Sequence, residues 1–197
     1  MRIGIFGGAF NPVHNGHLNL AECYRKSLSL DKILFVPTSV PPHKSADGLI
    51  DGAHRIQMLK AAVEGKKYFE ISDIEFWRGG KSYSFDTIKT LQSVYPSDKF
   101  YLIVGSDQYL SFESWFRADT ILKMVTLCTA ARGHNEYEKM QAYKEQNPNL
   151  KNSIISQFEV LEISSTDIRN RVKNGESIEG LVPRAVEEYI RENNLYV

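Results

Sequence analysis

The chain has 197 residues, of which 42% are hydrophobic and 24% charged, and 24 basic residues balance 24 acidic ones. This zero net charge gives no overall basic field for a nucleic-acid backbone, so we expect no nucleic-acid partner. The two cysteines, Cys23 and Cys128, form no paired motif, which argues against a disulfide framework and fits a reduced, cytoplasmic protein. No apolar run approaches the ~20 residues of a membrane span, so we expect no membrane partner.

Segments typical of strands and helices alternate along the chain. Strands are predicted at residues 3–6, 32–37, 69–76, 100–104 and 125–131, and the last strand is predicted to lie within residues 154–161. Helices are predicted at residues 16–30, 54–63, 85–94, 137–146, about 166–173 and 184–193, with helical turns within 106–122. The stretches 38–52 and 77–84 are predicted loops.

This alternation predicts an α/β fold, a Rossmann-like doubly wound parallel sheet with helices on both faces. We expect one domain over residues 1–197, with a small C-terminal helical part at about 164–197. In such sheets ligands bind beyond the carboxyl ends of the strands, where the strand order switches. That rule selects the loops 7–17, 37–44 and 105–108.

The first strand-to-helix turn carries the most specific pattern, a glycine-rich segment from Gly7 to Leu18 that reads GGAFNPVHNGHL. Glycine lets the backbone approach a ligand closely, and the helix behind it presents unpaired N–H groups to an anion. His14 and His17 flank Gly16, so both imidazoles can face one site and donate hydrogen bonds to phosphate oxygens. The pattern indicates attack at phosphorus, catalysed by positioning and charge stabilisation without a covalent intermediate.

Other interpretations of these residues are weaker. The dinucleotide fingerprint GxGxxG is absent, and a zinc site would need a third ligand besides the two histidines. A P-loop could use Lys81 and Ser82, but Glu75 stands where its first glycine belongs. A non-catalytic nucleotide sensor on the same fold is the alternative from another functional class.

A second motif lies at residues 163–169, which read ISSTDIR. Ser165 and Thr166 stand at a predicted helix N-terminus, with Arg169 one turn inside it, a suitable arrangement for the β- and γ-phosphates of ATP. Together, the two motifs resemble the signatures of the HxGH nucleotidyltransferase superfamily.

Further segments resemble bacterial nicotinate-mononucleotide adenylyltransferases over nearly the whole chain. These are the segments PPHK at 41–44, SYSFDT at 82–87, VGSD at 104–107 and the aromatic pair at 115–116. The resemblance implies adenylyl transfer from ATP to nicotinate mononucleotide, with Mg²⁺ held mainly by the ATP phosphates and no metal ligand from the chain.

The resemblance also implies residue roles. His14 and His17 are the expected catalytic residues. ATP is expected to contact both of them and Gly7, Gly8, Ala9, Phe10, Gly105, Asp107, Ser165, Thr166 and Arg169. The nicotinate substrate is expected to contact Lys44, Thr87, Trp115, Phe116 and Arg132.

The chain departs from the commonest family pattern at Asn11, a position often held by Asp, and at Ala9, often Ser or Thr. Neither change affects the histidine motif. Pantetheine-phosphate and nicotinamide-mononucleotide adenylyltransferases remain alternatives within the superfamily, and homo-oligomerisation is left open.

Overall fold

The computed structural model describes residues 1–41, 48–131, 133–159 and 161–197. Within these residues, six parallel strands form one sheet in the order β3-β2-β1-β4-β5-β6. The strands are β1 (Arg2–Gly8), β2 (Lys32–Pro37), β3 (Phe69–Ile71), β4 (Lys99–Val104), β5 (Thr126–Ala130) and β6 (Ile154–Ser156). The order reverses between β1 and β4, which confirms the predicted Rossmann-like sheet and places its switch point at their carboxyl ends.

Helices connect the strands and cover the sheet. They are α1 (Asn15–Ser27), α2 (Gly52–Val63), α3 (Ile74–Arg78), α4 (Ser84–Val94), α5 (Ser106–Leu110), α6 (Ala118–Met124), α7 (His134–Gln146), α8 (Ser165–Lys173) and α9 (Arg184–Glu192). Buried residues of α1, α2, α8 and α9 pack on one face of the sheet, and those of α4, α5, α6 and α7 pack on the other.

The strand β2 shows why the sheet is buried on both faces. Its side chains alternate, with Ile33 and Phe35 in one hydrophobic cluster and Leu34 and Val36 in the opposite one. All four are buried. A continuous apolar run of this kind is typical of a parallel strand covered on both faces.

The predicted strand over residues 69–76 is wrong beyond Ile71. The edge strand β3 pairs with β2 over three residue pairs only, and α3 follows it. In the helix, the Glu75 side chain is buried and Phe76 packs over the Arg55 guanidinium, 5.5 Å from the ring centroid. These tertiary contacts override the alternating pattern of the sequence.

The last strand lies within the predicted stretch 154–161 and ends at Ser156, where its pairing with β5 stops. The helix predicted at 137–146 begins one turn earlier, at His134. Of the described helices, none is long and apolar enough to cross a membrane.

Candidate active site

The two histidines of the first turn form the start of α1. His14 is the N-cap residue, and its Nδ1 accepts a hydrogen bond from the His17 backbone N–H at 3.3 Å. In return, His17 Nδ1 accepts from the His14 backbone N–H at 3.2 Å. The rings stack with their centroids 3.6 Å apart. Because both Nδ1 atoms accept, a neutral ring carries its proton on Nε2, the form that can donate to phosphate.

Gly16 makes this stacking sterically feasible. A Cβ at this position would lie 2.9 Å from the Leu161 carbonyl oxygen and 3.1 Å from His14 Nδ1. The first contact is with backbone, so a side chain here would displace either the helix start or the His14 ring. Glycine is therefore required between the two histidines.

A cavity of about 620 Å³ opens at the switch point of the sheet, in the size range usual for small-molecule sites. Its wall includes His14, His17 and the starts of α5 and α8. Among the residues predicted from the sequence, the structure places these in the wall: Gly7, Gly8, Ala9, His14, His17, Gly105, Asp107, Trp115, Phe116, Ser165 and Thr166. The predicted loops 7–17 and 105–108 therefore meet at one cavity, together with Thr38 and Pro41 of the third loop.

The Phe10 side chain lies behind this wall rather than in it. Its ring is 2% exposed and packs edge-on against His17, with centroids 5.1 Å apart. It also contacts Phe6 and Phe35 in the core. The Phe10 ring therefore supports His17 from the core side, and an ATP contact by Phe10 remains a prediction.

The second motif is joined directly to the first. Ser165 Oγ donates to the Pro12 carbonyl oxygen at 2.9 Å, and Arg169 Nη1 donates to the Asn11 carbonyl oxygen at 2.9 Å. Arg169 Nη2 also donates to Thr166 Oγ1 at 3.1 Å. The guanidinium thus links the turn to the α8 N-terminus, behind the cavity residues Ser165 and Thr166.

Aromatic side chains also form part of the cavity wall. Phe116 is 45% exposed and packs on Tyr83, with centroids 4.9 Å apart, while Trp115 packs on the buried Phe112. A half-exposed ring beside a cavity offers a stacking surface to a planar ligand. Tyr83 belongs to the SYSFDT segment, but the sequence did not distinguish it from its neighbours.

Thr87 lies one layer behind this part of the wall. It is 3% exposed, and its Oγ1 donates to Glu75 Oε1 at 2.7 Å and accepts from Arg78 Nη1 at 3.1 Å. Glu75 is itself buried in the cavity wall. Sequence reasoning did not single out Glu75, because it assigned residues 69–76 to a half-exposed strand rather than to a helix. A substrate contact by Thr87 remains a prediction.

Arg55 is a second functional candidate that the sequence did not single out. It is 1% exposed, and its Nη1 donates to the carbonyl oxygens of Ala9 and Thr38, while Nε donates to that of Ile50. Burial lowers the pKa of the guanidinium, but an arginine remains charged in a protein. The sequence signal that could have identified Arg55 is its position on the apolar face of the predicted helix, one turn before Leu59.

The structure also tests two alternatives. Lys81 and Ser82 follow helix α3 rather than a strand, and Ser82 Oγ accepts hydrogen bonds from the backbone N–H groups of Ser39 and Val40. This is not the strand–loop–helix arrangement of a P-loop. Within the described ranges, no three His, Cys, Asp or Glu side chains cluster to bind a metal. Lys44 and Arg132 lie outside the described residues.

Comparison with known proteins shows the family of this chain. The family model for cytidylyltransferase-like proteins matches residues 5–171. A protein of Desulfitobacterium hafniense strain DCB-2, named a probable nicotinate-nucleotide adenylyltransferase, is 39% identical over 99% of this chain and 95% of its own. A Geobacter sulfurreducens protein of the same name is 39% identical over 100% of this chain and 98% of its own.

Solved structures show the same fold. A Plasmodium falciparum nicotinic acid mononucleotide adenylyltransferase complexed with NaAD superposes with a TM-score of 0.79 at 21% identity, over 99% of this chain and 97% of that chain. A Vibrio parahaemolyticus protein described as a putative nicotinate-nucleotide adenylyltransferase gives 0.73 at 22% identity, over 99% and 94%.

Proposed function

The chain belongs to the cytidylyltransferase-like family, and from this premise we propose that it is a nicotinate-nucleotide adenylyltransferase. It transfers AMP from ATP to nicotinate mononucleotide and releases pyrophosphate, giving nicotinate adenine dinucleotide in NAD biosynthesis. The observation that carries the proposal is the direct hydrogen bonding between the histidine turn and the α8 N-terminus at the wall of one cavity.

The reaction is a single in-line displacement at the α-phosphorus of ATP. A phosphate oxygen of nicotinate mononucleotide forms the new P–O bond, and the bond from the α-phosphorus to the bridging oxygen of pyrophosphate breaks. The attacking phosphate is already an anion, so no general base is needed. The chain must position two anions in line and stabilise the charge that moves onto the leaving group.

His14 and His17 supply that stabilisation. With Nδ1 of each ring accepting a backbone N–H, a neutral ring carries its proton on Nε2, which can donate to phosphate oxygens. Ser165 and Thr166, at the positive end of α8, would hold the departing phosphates. Arg169 keeps this helix start against the turn, and the buried Arg55 adds positive charge behind it.

Two parts of the cavity wall suit the two nucleosides. Gly105 and Asp107, at the start of α5 beside β4, would contact the ATP ribose, and Trp115 and Phe116 would pack on the pyridine ring. A site built from N–H donors, such as the Phe116 backbone N–H, would favour a carboxylate over a carboxamide. Lys44, Thr87 and Arg132 are proposed to complete the substrate site.

Mg²⁺ is the proposed cofactor. When bound, it would neutralise the triphosphate and the pyrophosphate product. It commonly keeps several waters and binds through substrate phosphates, so no metal ligand from the chain is required. The two free cysteines support the proposed cytoplasmic location, and the packing of α9 on α2 supports a single domain.

The test is pyrophosphate release from ATP and Mg²⁺, with nicotinate mononucleotide, nicotinamide mononucleotide and phosphopantetheine offered separately. We expect turnover with nicotinate mononucleotide far above the other two. We expect His17→Ala to lower kcat by about 10²- to 10³-fold, as the loss of one transition-state donor does. The matched control is His134→Ala, which also removes a histidine from a helix start but on the exposed surface.

Turnover of phosphopantetheine instead would reassign the substrate, and equal use of both pyridine nucleotides would reject the carboxylate preference. ATP binding by folded protein without release from any of the three would favour the sensor function. His17→Ala also removes a capping hydrogen bond, which costs about 1 kcal/mol of stability. Thermal unfolding of both variants therefore accompanies the kinetics.

A further inference from the structure

Asn11, a residue of the histidine turn, contacts three separate parts of the chain. Its side-chain amide donates to the Gly48 carbonyl oxygen at 2.7 Å, and its Oδ1 accepts from the Tyr196 hydroxyl at 2.9 Å. Its backbone carbonyl oxygen accepts from Arg169. Asn11 is 6% exposed, so each of these polar groups depends on its protein partner rather than on water.

The bond to Gly48 requires an amide. A carboxylate has no N–H to donate, and its oxygen would repel the Gly48 carbonyl oxygen at this distance. An aspartate at this position could therefore not make this contact. Two residues later, Ile50 is held by Arg55, which also donates to Ala9. Asn11 and Arg55 together fasten the stretch Gly48–Ile50 to the turn.

Tyr196 is held in an unfavourable backbone conformation to make its bond. Its φ is 67°, in the left-handed region that bulky side chains rarely adopt. Such a conformation persists where the surrounding contacts determine it. Burial raises the pKa of the Tyr196 hydroxyl, while Arg169 and Arg55 oppose that rise. The hydroxyl therefore keeps its proton and remains a donor at neutral pH.

We propose that Asn11 and Tyr196 are a positioning pair for the adenylyl-transfer site. Tyr196 fixes the rotamer of Asn11. The side-chain amide of Asn11 then holds Gly48, while its backbone carbonyl oxygen holds the Arg169 guanidinium. Arg169 in turn contacts Thr166 in the cavity wall. The segment after α9 thus sets the distance between the histidine turn and the phosphate-binding helix start. The inference rests on the proposed function, since it concerns the same cavity.

The experiment uses three single variants of the full chain, the double variant that combines Asn11→Ala with Tyr196→Phe, and a control. Asn11→Asp removes the Gly48 bond and keeps the Tyr196 bond, Tyr196→Phe does the reverse, and Asn11→Ala removes both. Tyr189→Phe is the matched control, because its hydroxyl bonds His54 between α9 and α2 and does not touch the turn. Each variant is assayed for kcat and KM for ATP and for hydrogen exchange at backbone amides 48–53.

We expect Asn11→Asp and Tyr196→Phe each to lower kcat/KM for ATP by about threefold to tenfold, the effect of one hydrogen bond. Asn11→Asp should also accelerate hydrogen exchange at amides 48–53. The free energy of unfolding measured in urea should not account for this change. Tyr189→Phe should match the wild type in both readouts. In the Asn11→Ala background, Tyr196→Phe should have no further effect, because the bond is already gone.

Wild-type kcat/KM and exchange in Asn11→Asp and Tyr196→Phe would overturn the proposal. Additive effects of Asn11→Ala and Tyr196→Phe would also overturn it, since independent residues do not form a pair. A wild-type protein without adenylyl transfer would instead reject the proposed function. The exchange measurement needs no turnover, so the two failures are distinguishable.

Discussion

At the scale of single residues, two glycines of the turn have opposite surroundings. A Cβ at Gly16 would collide with the Leu161 carbonyl oxygen and the His14 ring, whereas a Cβ at Gly7 would meet no atom within 4 Å and would project at the cavity wall. The first glycine is therefore required for packing, and the second is available to the ligand.

We expect Gly16→Ala to lower the free energy of unfolding by about 1–3 kcal/mol, the usual effect of overpacking, and to abolish most activity by moving His14. Gly7→Ala should leave stability within about 0.5 kcal/mol but weaken ATP binding, since the added methyl group occupies ligand space. Urea unfolding and ATP titration measure both. Equal destabilisation by the two substitutions would contradict this assignment.

At the scale of elements, α4 carries a buried polar network beside the cavity. Thr87 connects the Glu75 carboxylate to Arg78, and Glu75 also accepts from the Ser39 backbone N–H at 3.3 Å. The network therefore ties α4 to α3 and to the loop after β2. Within this network, Arg78 Nη2 is buried and has no hydrogen-bond acceptor.

Thr87→Val should lower the free energy of unfolding by about 1–3 kcal/mol, because it keeps the side-chain shape and leaves the buried Oε1 of Glu75 without its donor. Thr90→Val is the control on the same helix, since that hydroxyl bonds only the Asp86 carbonyl oxygen one turn before it. It should change stability by less than about 0.5 kcal/mol. Urea unfolding tests the pair. Unchanged stability with a raised KM for nicotinate mononucleotide would instead establish a direct substrate contact by Thr87.

At the scale of the whole molecule, the central sheet separates two hydrophobic clusters, and both must form for any strand to be buried. Cys128 on β5 reports on this burial, because its side chain is fully buried. Burial raises the pKa of the Cys128 thiol from 9.0 to about 12. The unfolded chain therefore releases this proton at a lower pH than the folded protein.

The stability that this thiol contributes is complete below pH 9 and is lost as pH rises toward about 12. We expect the unfolding free energy of the wild type to fall between pH 9 and 11 more steeply than that of Cys128→Ala, by up to about 1.4 kcal/mol per pH unit. Cys23→Ala, at a partly exposed site, should alter the slope less. Urea unfolding at several pH values provides the comparison, and parallel slopes in wild type and Cys128→Ala would refute it.

The sequence alone determined the parts of this protein that depend on short-range patterns. Alternating side chains such as Ile33 and Leu34 predicted strands buried on both faces, and the order of elements predicted the sheet and its switch point. The spacing of His14 and His17 predicted two imidazoles on one side of a turn. These features follow from local geometry, because helix and strand periods act over a few residues.

The tertiary structure decided the contacts that join distant segments. It turned the residues around Glu75 into a helix, joined Arg55 to carbonyl oxygens of two loops, and brought Tyr196 to Asn11. No sequence period encodes such pairs, because a buried polar group is stabilised by whichever partner the fold supplies. Two local motifs of the sequence thus indicate the chemistry of the chain. The distance between those motifs is set by side chains that only folding brings together.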